Sequence, residues 1–311
     1  MTATKTTTRV RSELGERIER RVSAAAAATA GGSVARLVTA LLGPSSPPSG
    51  PEGTREDAES APRHEWRTTV FGYRAYVGLV SPHPSILDDA REHLADLERR
   101  WSIDGRHSEV ARLDRNRGVA LAVSADTLLL AGLAGLQGQP WAGPRQRGVL
   151  VDARHGVVGL SGDGPWHIIP LAAALAADLV VTDMIEAGAE GACVRIGTSV
   201  RAEGASPRGA GWLTTAPRAR TGTPGAVLRL RQGAVVTARR PLSDGLGDDR
   251  PQAVSVVTDH AWRAQALVAD ALAAPATRAR ALLAGTATAA CLIGPDGRPQ
   301  TVGRWSDFEI D

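Results

Sequence analysis

The stretch Ala192-Cys-Val-Arg-Ile-Gly-Thr-Ser-Val-Arg-Ala202 decides the fold class. Two short β-type runs, Ala192 to Ile196 and Ser199 to Ala202, are separated only by Gly197-Thr198, and Gly197 reads first as a turn residue. Three more runs follow at Trp212 to Thr215, Ala226 to Leu230 and Ala234 to Ala238, so a meander of short strands is expected. Ahead of it, Pro170 suits the first turn of a helix running to about Ala187, because its missing N–H costs nothing there. Behind it, Ala253 to Thr258 is a buried-strand run. Helices over Trp262 to Ala273 and Ala276 to Leu283 come next, then a closing strand at Ala289 to Ile293 before the Pro295-Asp296-Gly297 turn.

The N-terminal half adds a strand or hairpin over Trp66 to Val80. A helix over Pro84 to Trp101 follows, with Ile86, Leu87, Ala90, Leu94, Leu97 and Trp101 on one face. After a loop, Ser124 caps a second helix bearing Leu128, Leu129, Leu133 and Leu136. Val149 to Val151 and Val157 to Leu160 form a hairpin turning at Arg154-His155-Gly156. Strand runs and helix runs in this order give an α+β class with mainly antiparallel sheets.

The chain has 311 residues, enough for a sizeable core. Residues 66–311 are the expected folded domain. Residues 44–65 carry Pro, Ser, Gly, Glu and Asp with almost no large apolar side chain and read as a linker. Residues 1–43 are a helical tail, with Leu14, Ile18 and Val22, then Val34, Leu37 and Leu41, at helical spacing and Gly43 as the stop. Arg20-Arg21 ahead of Ala24 to Ala28 has the outline of a twin-arginine export signal. The apolar part is mostly alanine and Arg36 interrupts it, so a helix and cytoplasmic residence are expected. No apolar run approaches the roughly 18 residues of a membrane span.

The net charge of +3 comes from arginines scattered among acids, not from a basic run interleaved with aromatics, so nucleic-acid binding gains no support. The two cysteines, Cys193 and Cys291, each sit in an apolar run and read as buried bystanders, not as a disulfide, zinc or redox pair.

The segment Trp101-Ser-Ile-Asp-Gly-Arg-His-Ser-Glu-Val-Ala-Arg-Leu-Asp114 resembles the helix end and loop of the ApbE-type FAD:protein FMN transferases, where an aromatic-Ser pair precedes Ser-Glu-x-x-x-Leu-Asn. Blocks over Val151 to Val180, Gly188 to Trp212 and Ala253 to Ala289 follow in the family's order. The resemblance implies an ApbE/T-fold-like flavin transferase scaffold and a flavoprotein target. The implied reaction moves FMN from FAD to a Thr or Ser hydroxyl and releases AMP. Such chemistry needs a hard divalent cation, oxygen ligands and close backbone amides around the pyrophosphate.

The residues at the matching positions depart from that pattern. Where the family has Asp-Leu-Gly-Gly-x-Ala-Lys, this chain reads His167-Ile-Ile-Pro-Leu-Ala-Ala173, without either glycine or the lysine. A lone histidine such as His167, beside apolar residues, reads as a hydrogen-bonded structural group before a metal ligand. Asp178 closes an Ala-Ala-Asp stretch that the family shares and reads as a solvated or helix-pairing residue. The Asn-x-Gly-Gly-Asp motif becomes Arg195-Ile-Gly-Thr-Ser199, which leaves Gly197 as the one candidate cofactor contact. The His-x-Ile-Asp-Pro segment is missing around Arg239 to Gly245. Gly138-Gln-Pro-Trp141 is what stands for a Gly-x-Phe-Asp-Pro-Thr stretch, and Phe71-Gly72-Tyr73 replaces Met-Gly-Thr.

The magnesium ligands, an Asp and a Thr one helical turn apart, fall on Gln265 and Ala269. A shifted register makes Asp270 the ligand instead; Asp244, Asp248 and Asp249 are further ligand candidates for a rewired site, in a stretch, Asp244 to Arg250, that reads first as a solvated charged loop. The expectation is therefore an impaired or silent relative that acts as a binding or regulatory partner near flavoproteins. FAD binding is open in that reading and magnesium doubtful. Two alternatives stand beside it: an active magnesium-dependent FMN transferase with a rewired site, and an interaction module that no longer binds flavin.

Overall fold

The computed structural model describes residues 63–136, 148–162, 166–207, 209–217, 225–240 and 249–310. The expected N-terminal helices, most of the linker, the stretch Gly138 to Trp141, Asp244 and Asp248 lie outside the described residues.

The element order is β1 (Arg63–Val70), β2 (Tyr73–Val80), α1 (Ser85–Trp101), α2 (Glu109–Arg115), β3 (Leu121–Ala122), α3 (Ala125–Leu136), β4 (Val149–Asp152), β5 (Val157–Leu160) and α4 (Ile169–Glu186). Then come β6 (Gly191–Ile196), β7 (Ser199–Gly204), β8 (Trp212–Ala216), β9 (Ala226–Leu230), β10 (Gly233–Arg239) and β11 (Ala253–Thr258). The remaining elements are α5 (Ala261–Ala273), α6 (Ala276–Thr286), β12 (Ala289–Ile293), β13 (Pro299–Gly303), a 3-10 turn (Trp305–Asp307) and β14 (Glu309–Ile310). This is α+β, and every strand pair in it is antiparallel.

One eight-stranded sheet, in the order β1-β2-β6-β7-β10-β11-β12-β13, carries the fold, and two three-stranded sheets (β14-β9-β8 and β3-β5-β4) flank it. The central strands of the large sheet are covered on both faces, which is why β6, β11 and β12 read as almost continuous apolar runs. Ala75, Val77, Leu79, Val194 and Ile196 pack with α1 and α4 on one face. Cys193, Val200 and Ala202 pack with Trp212, Leu228, Leu230 and Phe308 of the small-sheet layer on the other. A third cluster seats α5 and α6 against β10, β11 and β12 through Leu267, Val268, Leu283, Val254 and Leu292. Residues 171–181 of α4 are all buried, as an all-round apolar helix must be.

The structure corrects the sequence reading in three places. β1 begins at Arg63, ahead of the expected Trp66, because Arg63, His64 and Glu65 continue the ladder opposite Val80, Leu79 and Gly78. The loop after α1 contains α2, since the Ser108 hydroxyl accepts the Ala111 N–H at 3.0 Å and Val110 and Leu113 are buried. The expected meander is interrupted: β8 and β9 leave the large sheet to pair with each other and with β14, and β10 returns to β7. Alternate residues of β8 (Trp212, Thr214 and Ala216) face inward, so this hairpin lies over the sheet as a second layer instead of extending it.

Candidate functional site

The β1–β2 hairpin closes with a two-residue loop, Phe71-Gly72, between the paired Val70 and Tyr73. Both loop residues have positive φ, 54° for Phe71 and 77° for Gly72, as a type I′ reversal requires. Asn or Asp is the usual first residue of such a loop, and a bulky side chain there is strained by about 1–2 kcal/mol. Two contacts hold Phe71 in place. Its ring stacks on Trp101 at the end of α1, with centroids 6.2 Å apart and planes 20° apart. Its backbone N–H donates to Glu98 Oε1 at 2.9 Å. Trp101 is itself fixed by its indole N–H, which donates to Thr127 Oγ1 at 2.9 Å.

This strained turn borders a cavity of about 670 Å³, whose wall includes Tyr73, Ser102, Asp114, Trp166, His167 and Pro170. Four stretches singled out in the sequence meet here: the Phe71 turn, the Trp101-Ser102 helix end, Asp114, and the segment that opens α4. The 18-residue α4 brings its N-terminal end, the positive end of its dipole, to the cavity. Pro170 removes one of the amides that an anion would use there. Two of the three carboxylates at the wall, Glu98 and Asp114 but not the exposed Asp104, are held by protein partners. Asp114 accepts the Trp166 N–H at 3.1 Å and pairs with Arg117, and Glu98 holds Phe71.

His167 is exposed on this wall, and its neighbours Trp166 and Ile168 take the buried positions. Gly197 has φ 60° in the two-residue β6–β7 turn, and its N–H donates to the Arg74 carbonyl at 2.9 Å. A Cβ on Gly197 would come within 3.1 Å of the Tyr73 ring, so the glycine abuts a wall residue without itself lining the cavity.

Asp178 is the carboxylate that sequence reasoning undervalued. It is wholly buried and accepts the first two α5 amides, Ala261 N–H at 2.8 Å and Trp262 N–H at 2.9 Å. Arg201 Nε stands 3.5 Å away and His260 Nδ1 3.9 Å. Burial pushes its carboxyl above the usual range, while His260, Arg201 and the two amides pull it back down. Of the two expected roles, helix pairing is correct and solvation is not. Asp178 is the one charged residue in the buried apolar stretch 171–181 of α4, and that was the available signal, because such a group must be paired.

The metal positions fit magnesium poorly. Gln265 is buried in α5, Ala269 brings no ligand, and Asp270 is half-buried near the C-terminal end of α5, its carboxyl pushed up by burial. Asp249 is exposed, and its backbone carbonyl accepts the Ala276 N–H at the start of α6. Among the described residues, no three His, Cys, Asp or Glu side chains converge in a way that would hold a metal ion. Cys193 and Cys291 are free and buried, as expected. Burial pushes the Cys193 thiol up to about 12 and the Cys291 thiol up to about 11.

No family model and no curated protein matches the chain in sequence. Solved structures do match in shape. The ApbE protein of Thermotoga maritima superposes with a TM-score of 0.66 over 80% of this chain and 100% of its own, at 16% identity. The chain has an ApbE-like fold. The Pseudomonas stutzeri flavinyl transferase ApbE, in its apo form, gives a TM-score of 0.61 at 17% identity, covering 82% of this chain and 100% of its own. The Vibrio cholerae flavin transferase ApbE gives 0.61 at 18% identity, covering 80% and 99%. Among the described residues, no helix is long and apolar enough to cross a membrane.

Proposed function

We propose that this protein binds a flavin nucleotide at the Phe71 turn without transferring FMN, and acts in the cytoplasm as a binding or regulatory partner of flavoproteins. The observation that carries the reading is the strained Phe71-Gly72 reversal, held by Trp101 and Glu98 at the mouth of a cavity large enough for a flavin ring. Backbone strain at a cavity points to function when the surroundings over-determine it, as they do here. The aromatic wall of Phe71, Tyr73 and Trp166 suits a flat ring.

The absence of transfer chemistry is supported by what occupies the other positions. Pro170 takes an amide from the helix end, Gln265 and Ala269 replace a carboxylate and a hydroxyl, and Glu98 and Asp114 are committed to backbone amides. Removing one preorganised group that stabilises transition-state charge raises a barrier by about 2.7–4 kcal/mol, so several such replacements together leave no useful phosphoryl transfer.

The test is a titration of the purified full chain with FAD, with and without magnesium, followed by flavin absorbance and fluorescence. An assay for AMP in the presence of a threonine-bearing target completes it. Saturable binding that ignores magnesium, with no AMP formed, is the expected result. Magnesium-dependent AMP release would establish the active-transferase reading instead, and no flavin binding would leave an interaction module.

A further inference from the structure

A second cavity lies on the opposite face of the large sheet, under the β8–β9 layer, and its chemistry is the reverse of the first. Its volume is about 590 Å³. The register places Arg67 of β1 opposite Tyr76 of β2, and Tyr76 opposite Arg195 of β6, so two guanidinium-bearing residues flank one phenol across three strands. Arg67 sits over the Tyr76 ring at 5.8 Å. Arg74 from β2 and Arg229 from β9 complete the wall, which includes one carboxylate, Glu65, at 3.5 Å from Arg67.

Two of the lining rings, Tyr76 and Trp212, are seated on a glycine. A Cβ on Gly78 would lie 2.7 Å from both Trp212 Cζ3 and the Tyr76 hydroxyl, so these two rings converge above a bare stretch of backbone.

Several donors here are unspent. Trp212 is 6% exposed and its indole N–H has no partner among the described residues. Arg229 Nε is buried and also without a partner there. Arg195 reaches the Leu213 carbonyl and the Thr214 hydroxyl through one nitrogen only, at 3.4 and 3.3 Å. A buried donor left unmade costs about 1–3 kcal/mol, more when it belongs to a charged group, and two of them on residues lining one cavity invite an acceptor from outside. Guanidinium forks match oxyanions in bidentate geometry, and the Tyr76 and Trp212 rings offer a surface for a flat partner.

We infer that this cavity binds a small organic anion: a planar ring carrying a phosphate or carboxylate that the arginines clamp, with an acceptor for the Trp212 N–H. The site is independent of the Phe71 cavity and of whatever binds there. A mononucleotide and an aromatic acid share this chemistry.

Isothermal titration of the full chain with AMP, with benzoate and with inorganic phosphate separates the sources. One of the two ring-bearing anions binds saturably at one site per chain and at least about tenfold more tightly than inorganic phosphate, the ring supplying the difference. AMP ahead of benzoate assigns a phosphate-bearing ligand, and the reverse order a carboxylate-bearing one. The double variant Arg67→Ala, Arg74→Ala removes two exposed side chains, so it folds, and it weakens that binding about tenfold or more. Trp212→Phe keeps an aromatic ring, smaller than the indole, and deletes the N–H, and weakens binding several-fold. Three results would each overturn the inference: no saturable binding of any of the three probes, inorganic phosphate binding as tightly as the ring-bearing anions, or unchanged binding in both variants.

Discussion

The two cavities share one sheet and differ in how their polar groups are used. On the helix face, Glu98 and Asp114 each accept a backbone N–H from a segment far away in the chain, Phe71 and Trp166 respectively. On the β8–β9 face, the Trp212 N–H and Arg229 Nε have no acceptor among the described residues. Glu98 and Asp114 therefore hold the shape of the first cavity's wall, while donors in the second are left for a ligand. A polar side chain at a cavity is informative only once its partners are known. Without the structure, the arginines of the second cavity would pass for ordinary surface.

The sharpest test of that contrast is the helix-face carboxylate whose commitment is complete. Asp178→Ala strands two α5 amides and leaves Arg201, 5% exposed, without its buried counter-charge. Removing one partner of a buried pair costs about 3–5 kcal/mol, and chemical denaturation should show a loss of that size. Asp178→Asn keeps an acceptor oxygen and should lose less. A loss below about 1 kcal/mol for the alanine variant would break the comparison, because the helix-face carboxylates would then not be structural.

Much of this architecture is legible in the sequence. Alternating or continuous apolar runs mark most strands, and Pro170 marks the start of α4. What stayed hidden depends on distance along the chain. The amides that Asp178 accepts lie 83 and 84 positions away, so its apolar flanks call for a partner without showing which one. The cavity at the Phe71 turn was partly readable, because Phe71, Ser102, Asp114 and His167 fall in stretches that resemble a known family, whereas Glu98 carries no such mark. The arginine cavity was not readable at all. Arg67, Tyr76 and Arg195 become neighbours only through strand register, and Trp212 arrives from a hairpin that leaves the sheet. The short strands β3, β13 and β14 escaped because pairing, not side-chain pattern, defines them.

Gly78 offers the next largest effect and acts on the other face. Gly78→Val puts a branched side chain where Trp212 and the Tyr76 hydroxyl now sit, so both rings must move. Overpacking of this kind costs about 1–3 kcal/mol by denaturation, and it should also abolish anion binding in the β8–β9 cavity. FAD binding at the Phe71 turn should be unchanged. Loss of both together would mean that the two sites are not separable.

Glu98→Ala follows. It leaves the Phe71 N–H without its acceptor while the left-handed backbone still has to be held, a loss of about 1–2 kcal/mol. Adding Phe71→Gly removes the backbone strain, so the double variant should recover part of the loss while losing flavin affinity, since the stacked ring is gone. Stability and affinity moving in the same direction in that pair would argue that Phe71 is a packing residue and nothing more.

The smallest expected change is as informative as the largest. Arg67 and Arg74 are exposed, and the ion pair of Arg67 with Glu65, at 3.5 Å, joins two side chains that are mostly in solvent. Exposed pairs of this kind contribute about 0–1 kcal/mol, and surface substitutions away from special features stay within about 0.5 kcal/mol. Arg67→Ala with Arg74→Ala should therefore leave the denaturation midpoint almost where it is. If these arginines were instead neutralising a destabilising feature of the sheet, the double variant would lose stability comparable to Glu98→Ala, and the unspent donors would have a structural explanation that needs no ligand. A near-zero stability change combined with a large change in anion affinity is the outcome that separates side chains kept for binding from side chains kept for the fold.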